Sequence, residues 1–241
     1  MLLHVINSGS VGNAYLLKAS NGETLCIECG VRFSEVKKAL NFDYSGVVGC
    51  LCSHSHMDHF GYAHEFMNAG IDVYTNEQCA EGIKKHRLHV VSAGQVFKLG
   101  SFTIKPFEVK HDVKCFAFLI HHTECGTACF ITDTFYVPTK MAGLNNIIIE
   151  ANFDQEIIDE KLKTDKKFLR DRILKSHLSI EHCLNVLRAN DLTAVNNICL
   201  IHLSESNSNE RKFKQLVENQ TGKTVHVARK NMIVEFNKTP F

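Results

Sequence analysis

The stretch GVVGCLCSHSHMDHFG (residues 46–61) joins an apolar run to a segment with three histidines and one aspartate. The apolar run predicts a buried strand, and side chains alternate along an extended backbone, so His54 and His56 point to the same side. Asp58 and His59 follow at the turn, where they can face a second metal roughly 3.5–4 Å from the first. Imidazole and carboxylate together suit Zn²⁺, Mn²⁺ or Fe²⁺. The stretch therefore predicts a metal site at the end of a strand.

Three more candidate ligands occupy matching places in the sequence, each at the end of an apolar run that predicts a strand. They are His111 in FEVKHD, Asp133 in CFITDT and His202 in ICLIHLS. Folds built on a sheet present functional groups where strands end. We therefore expect these three side chains to complete the metal site.

With these seven residues the sequence resembles the metallo-β-lactamase superfamily, whose signature is H-x-H-x-D-H followed by a His, an Asp and a His. The resemblance covers essentially the whole chain. It implies a four-layer αβ/βα sandwich with the site at one edge, between the two sheets. It also implies two divalent metal ions (Zn, Mn or Fe). The implied ligands are His54, His56 and His111 for one ion and Asp58, His59 and His202 for the other, with Asp133 bridging both.

Four further motifs resemble the YycJ/WalJ-like branch of this superfamily. They are Ser8–Asn13 with the pattern S-G-S-x-G-N, Ile149–Asp154, Ser176–Ser179, and His202–Ser204 with Asn207 close behind. This branch is associated with DNA processing, notably 5′-to-3′ exonuclease activity on double-stranded DNA. Its members are typically bacterial or phage-borne and cytoplasmic. The resemblance thus implies a DNA substrate and a cytoplasmic location, and it leaves the oligomeric state open.

Two residues depart from the pattern of the branch. Glu28 stands where the branch usually has Asp, and its longer carboxylate can still accept hydrogen bonds from nearby backbone. Phe153 stands where His is expected, which could alter substrate specificity or rate. Neither residue is an expected metal ligand.

The chemistry of phosphodiester hydrolysis assigns roles to several of these residues. Two cations would lower the pKa of bound water and supply a metal-bound hydroxide as nucleophile. Asp58 would both ligate and orient that nucleophile, and His177 would donate to a phosphate oxygen or to the leaving group. The alternative for His177 is simple packing beside the helix that begins near Ser179. The expected substrate contacts are Ser8, Ser10, Asn13, His177 and Ser204, although the serine-rich turn could equally be structural.

Composition and pattern agree with a folded enzyme. Twenty-seven basic and 26 acidic side chains leave a net charge of +1, which excludes a polycationic nucleic-acid coat protein. The basic stretch over residues 161–175 could grip a phosphate backbone or form a solvated helix face. Strand-like runs mixed with helical segments near 33–40, 58–69, 76–86, 155–175, 179–189 and 207–219 predict an α/β sandwich. We expect residues 1–241 to form a single domain, with no secretory signal and no membrane span.

Other functions remain open at this point. The same ligands serve small-molecule hydrolases, such as cyclic or linear nucleotide phosphodiesterases. A thioesterase is less favoured, because it would carry a further substrate-binding domain after His202. A metal-binding protein without activity is disfavoured, because such proteins usually lose ligands and every expected ligand is present here.

Overall fold

Two seven-stranded sheets dominate the computed structural model, which describes residues 1–161 and 167–239 apart from the side chains of 167–169. The strands are β1 (Leu2–Asn7), β2 (Ala14–Lys18), β3 (Thr24–Ile27), β4 (Val47–Leu51), β5 (Val73–Thr75), β6 (Leu88–Val90), β7 (Phe97–Leu99), β8 (Phe102–Val109), β9 (Cys115–His122), β10 (Gly126–Ile131), β11 (Leu144–Glu150), β12 (Asn197–Ile201), β13 (Thr224–Val227) and β14 (Met232–Glu235). The first sheet has the order β14-β1-β2-β3-β4-β5-β6 and the second β13-β12-β11-β10-β9-β8-β7.

Each sheet is antiparallel on one side and parallel on the other. In the first sheet, β3, β4, β5 and β6 run parallel to one another, whereas β14, β1, β2 and β3 pair antiparallel. In the second sheet, β10 to β13 are parallel and β7 to β10 antiparallel. In the second sheet, β8, β10 and β12 run in the same direction, because β8 and β10 both pair antiparallel with β9 and β10 to β12 are parallel. The strands that precede the predicted ligands of this sheet therefore end at a common edge.

The structure describes eight helices, several of which pack on the outer faces of the two sheets. They are α1 (Phe33–Ala39), α2 (Met57–Phe60), α3 (Ala63–Asn68), α4 (Glu77–Ala80), α5 (Gln155–Lys161), α6 (Lys167–Ser176), α7 (Ile180–Arg188) and α8 (Glu210–Thr221). Strand residues alternate between two hydrophobic clusters, as the period of an extended chain requires. Phe116 and Phe118 pack between the sheets, while Cys115 and Ala117 pack under the helices. The predicted four-layer αβ/βα sandwich is confirmed.

The structure divides one predicted helical segment and shortens another. The segment near 58–69 is split at Gly61, because the amide of Tyr62 turns away to the Cys29 carbonyl at 2.9 Å. The segment near 76–86 keeps only α4, which Asn76 caps by accepting from the Cys79 amide. The segment near 155–175 contains α5 and α6, and residues 162–166 lie outside the described part of the chain. The sequence pattern does not predict the three-residue strands β5, β6 and β7.

None of the helices that the structure describes has the length and apolar character needed to cross a lipid bilayer.

Gly30 lies where the loop around Asn13 packs closely against the turn that carries Asp58. A Cβ at this position would lie 1.7 Å from the Asp58 carbonyl oxygen and 2.6 Å from the Asn13 nitrogen. Because both contacts are backbone atoms, Gly30→Ala should lower the free energy of unfolding by about 2 kcal/mol or more. Urea denaturation would measure this change in the free energy of unfolding, with Val11→Ala, at an exposed position, as the control. An unchanged midpoint for Gly30→Ala would show that the loop adapts freely.

Candidate metal centre

The structure brings all seven predicted ligands together, and they come from both sheets. His54, His56, Asp58 and His59 follow β4 of the first sheet, whereas His111, Asp133 and His202 follow β8, β10 and β12 of the second. Two groups form, and within each group the potential ligand atoms lie within 4.8 Å of one another. We call His54, His56, His111 and Asp133 the first half-site, and Asp58, His59, Asp133 and His202 the second half-site.

Three ring nitrogens converge in the first half-site. His56 Nδ1 lies 3.1 Å from His54 Nε2 and 3.2 Å from His111 Nε2. The other nitrogen of His111, Nδ1, donates to the Ser176 carbonyl at 2.7 Å, so Nε2 carries a lone pair. Converging imidazole lone pairs that face one another are satisfied by a shared cation.

Asp133 belongs to both half-sites because its two oxygens face different histidines. Oδ2 lies 4.0 Å from His54 Nε2, and Oδ1 lies 3.2 Å from His59 Nε2 and 3.7 Å from His202 Nε2. Asp58 Oδ2 completes the second half-site, 3.2 Å from His202 Nε2 and 3.4 Å from His59 Nε2. The carboxylate of Asp133 is therefore placed where a bridging ligand would lie.

Buried carboxylates behind the ligands orient two of the histidines. Glu28 Oε2 lies 3.6 Å from His59 Nδ1 and accepts from the Ser53 amide at 3.3 Å, so the expected backbone contact of this longer side chain is present. Glu150 Oε1 lies 3.4 Å from His202 Nδ1. In both cases the carboxylate stands on the Nδ1 side of the ring, which leaves Nε2 facing the half-site.

Glu150 is a site residue that the ligand search along the sequence missed. Its Oε1 accepts from His177 Nδ1 at 2.7 Å, and its Oε2 accepts from the amides of Thr134 and Leu178 at 3.1 and 3.0 Å. It also groups with Asp133, His177 and His202 as potential ligand atoms. The sequence does carry an indication of this residue, because Glu150 ends the apolar run IIIE just as Asp133 ends CFITD.

Two residues of the site adopt a left-handed backbone conformation that is uncommon without glycine. Glu28 has φ of 70° and His202 has φ of 54°. Hydrogen bonds hold the backbone of His202 in place, from its amide to Ser8 Oγ at 2.9 Å and from Asn152 Nδ2 to its carbonyl at 2.7 Å. Such strain persists only where the surroundings fix it, which is typical of functional sites.

The two half-sites differ in their affinity for protons. Burial, together with the nearby His59, lowers the pKa of His54, and burial also lowers the pKa of His111. Burial opposes a charged His202, yet the carboxylates of Asp133, Asp58 and Glu150 outweigh it and raise the pKa to about 10. His54 and His111 of the first half-site therefore offer neutral imidazoles, whereas His202 in the second half-site holds a proton that a cation would have to displace.

The expected substrate contacts differ in how far their polar atoms are already engaged in hydrogen bonds within the protein. Ser8 Oγ accepts from the His202 amide and from Tyr15 at 2.8 Å, and the Asn13 amide group bonds to Gly9 and to the Asp58 carbonyl. Ser10 is exposed. Ser204 Oγ accepts from the Asn207 amide at 3.3 Å. Their contact with substrate stays a prediction, and Ser8 and Asn13 already have a positioning role.

Phe153, the second departure from the branch pattern, is buried and has no surface to offer a substrate. Its backbone forms a parallel bridge to Ser179, and its carbonyl accepts from the Ile180 amide at 2.8 Å. An aromatic side chain at this position therefore packs inside the fold behind the site.

Comparisons with known proteins agree with this geometry. A family model described as the beta-lactamase superfamily domain matches residues 27–203, the range that contains all seven predicted ligands. The chain belongs to the metallo-β-lactamase superfamily. Two similar curated proteins are exodeoxyribonuclease WalJ of Streptococcus pneumoniae, 26% identical over 235 residues (90% of this chain and 86% of the relative), and exodeoxyribonuclease YycJ of Bacillus anthracis, 27% identical over 169 residues (64% of each).

A solved structure shows the same fold. The metallo-β-lactamase fold protein YhfI from Bacillus subtilis superposes with a TM-score of 0.69 at 15% identity, covering 97% of this chain and 99% of that one. As a member of the superfamily, the chain is a metal-dependent hydrolase that uses divalent metal ions. The nitrogen and oxygen donors of the two half-sites fit such ions.

Metal content would test the ligand assignment. Because Asp133 is shared, Asp133→Ala should weaken both half-sites, whereas His111→Ala should weaken the first half-site alone. Elemental analysis after dialysis should find about two ions per wild-type chain, about one for His111→Ala and less than one for Asp133→Ala. His64→Ala, an exposed histidine five residues beyond His59, is the matched control. Full metal content in Asp133→Ala would contradict the shared ligand.

Metal binding should release protons near pH 8. The raised pKa of about 10 for His202 means that the metal-free second half-site is protonated at that pH. A cation must displace this proton, so affinity should rise with pH until about 10 and fall on acidification. Calorimetric Zn²⁺ titrations in two buffers of different ionisation enthalpy should show release of roughly one proton or more. Identical heats in both buffers would contradict the assignment.

Proposed function

We propose that this hydrolase is a dinuclear-metal phosphodiesterase that acts on nucleic acid, as a 5′-to-3′ exonuclease of double-stranded DNA. One observation carries the proposal: two half-sites share a single buried carboxylate, with one oxygen of Asp133 on each side. Paired sites of this kind serve in-line displacement at phosphorus. The exodeoxyribonuclease names of the WalJ and YycJ relatives support DNA as the substrate.

In this proposal the residues of each half-site would hold one divalent ion, with Asp133 contributing a carboxylate oxygen to both half-sites. When bound, such ions would supply an activated water near neutral pH and positive charge for the phosphate oxygens. Asp58, held 3.2 Å from His202 Nε2, would serve as a ligand and would orient the attacking water. The choice among Zn²⁺, Mn²⁺ and Fe²⁺ depends on supply, because the donor set accepts all three.

His177 is the proposed proton donor. Its Nδ1 donates to Glu150 Oε1 at 2.7 Å and lies 3.6 Å from Asp133 Oδ2, which fixes the ring beside both half-sites. Burial favours the neutral ring, but the charges of Glu150 and Asp133 outweigh it and raise the pKa of His177. A protonated ring whose Nε2 makes no hydrogen bond to the described residues can donate to a phosphate oxygen or to the leaving group.

Basic side chains on α6 provide a surface for the DNA backbone. Arg172 and Lys175 are exposed and have no ion-pair partner among the described residues, and Lys175 lies two residues before His177. Arg170 is already paired with Asp159 at 2.6 Å. Part of the basic stretch predicted at 161–175 lies outside the described residues. The free cations of α6 can neutralise phosphates and make binding sensitive to salt.

The activity is tested with linear duplex DNA labelled separately at each end and incubated with Mn²⁺ or Zn²⁺. We expect metal-dependent shortening from the 5′ end, abolished in His54→Ala/His56→Ala and unchanged in His64→Ala. Intact DNA combined with hydrolysis of bis-p-nitrophenyl phosphate would instead favour the small-molecule phosphodiesterase. If the metal-loaded protein shows neither of these two activities, the proposal is contradicted.

His177→Ala separates proton donation from metal binding. Because His177 is not an assigned ligand, this variant should keep wild-type metal content while the rate falls on the order of 10²–10⁴-fold. Single-turnover cleavage measured across pH should lose its alkaline limb in this variant. A rate within a factor of two of wild type would reduce His177 to a packing role.

A further inference from the structure

A second concave site lies beside the metal centre. A cavity of about 380 Å³ opens between residues 135–140, which follow β10, and helix α7. Its apolar walls are formed by Val137, Pro138, Leu178, Val186 and Ala189. Neither the ligand assignment nor the proposed proton donor uses this cavity.

The cavity is fixed to the metal centre through Glu150. One wall begins at Phe135, two residues after Asp133, and the other at Leu178, directly after His177. The amides of Thr134, which precedes the first wall, and of Leu178 donate to the same Oε2 atom of Glu150, at 3.1 and 3.0 Å. Lys110, which precedes the ligand His111, accepts from the Phe135 amide and donates its own amide to the Tyr136 carbonyl. The cavity therefore keeps a constant position relative to both half-sites.

The lining has the chemistry of a site for a flat heteroaromatic ring. Tyr136 stands at the rim with 58% of its surface exposed, although large aromatic side chains are usually buried. His182 on α7 adds an exposed ring with hydrogen-bonding nitrogens, and Lys140 adds an exposed cation with no ion-pair partner among the described residues. An aromatic platform, apolar walls and a cation together suit a nucleobase with its attached phosphate.

We propose that this cavity receives one nucleobase of the DNA strand being cut, stacked on Tyr136, next to the phosphate that lies at the metal centre. The proposal rests on the proposed function and extends it. Stacking on a side chain tolerates any base sequence, because every base has a π-face. The cavity would thus hold the strand in place for successive cleavages without imposing a sequence preference.

The test uses Zn²⁺-loaded protein and duplex DNA with phosphorothioate linkages at its 5′ end, which slow cleavage. The fluorescent base 2-aminopurine replaces one base at a time near that end, and an abasic nucleotide replaces it in a second series. Two variants alter the cavity: Tyr136→Ala removes the platform, and Ala189→Phe fills the space from an exposed position directly after α7. Phe42→Ala, which removes another exposed aromatic side chain after α1, is the control.

We expect one position to show quenched 2-aminopurine fluorescence in the wild type and in Phe42→Ala, and none in the two cavity variants. An abasic nucleotide there should weaken wild-type binding on the order of ten-fold and leave Tyr136→Ala binding unchanged. Metal content should be equal in all four proteins. If the wild type binds and degrades DNA but the cavity variants retain the quenching, the cavity proposal is overturned and the proposed function still stands. If the wild type neither binds nor degrades DNA, the proposed function is overturned as well.

Discussion

The carboxylate of Asp133 is the constraint around which the rest of the site is arranged. It is 2% exposed, and a buried negative charge is tolerated only when positive charge or hydrogen-bond donors surround it. Imidazoles from His54, His59 and His202 lie on its two sides. These rings come from different sheets, so the charge balance of the site exists only when the sandwich is assembled. Folding and metal binding are coupled through this one side chain.

A second layer of carboxylates gives the histidines their orientation. Glu28 stands behind His59 and Glu150 behind His202, and Glu150 also fixes His177. The strained backbones of Glu28 and His202 show that the fold holds these positions against local preference. One carboxylate oxygen of Glu150 accepts from Thr134, just before one wall of the neighbouring cavity, and from Leu178 in the other wall. Glu150 thus connects the orientation of His202 with the proposed proton donor and the proposed base site.

The sequence predicted the fold, and it predicted seven side chains that the structure brings together, because residue type and strand position are local properties. His54 and His56 are two residues apart in an extended segment, and Asp133 and His202 each end an apolar run, so their common edge follows from strand geometry. The branch motif around Ile149–Asp154 was recognised, but the role of Glu150 depends on contacts with residues far away in the chain. Ser8 is a second example, since its hydroxyl accepts a hydrogen bond from the His202 amide, 194 residues away. Three-residue strands such as β5 carry too few side chains for a period to be read.

A crystal structure of the metal-loaded protein, with anomalous scattering recorded at the metal absorption edge, tests the central claim most directly. The account predicts two anomalous peaks on opposite sides of the Asp133 carboxylate, roughly 3.5–4 Å apart. One peak would be ligated by His54, His56 and His111, and the other by Asp58, His59 and His202. A single peak, or a pair of peaks not bridged by Asp133, would contradict it.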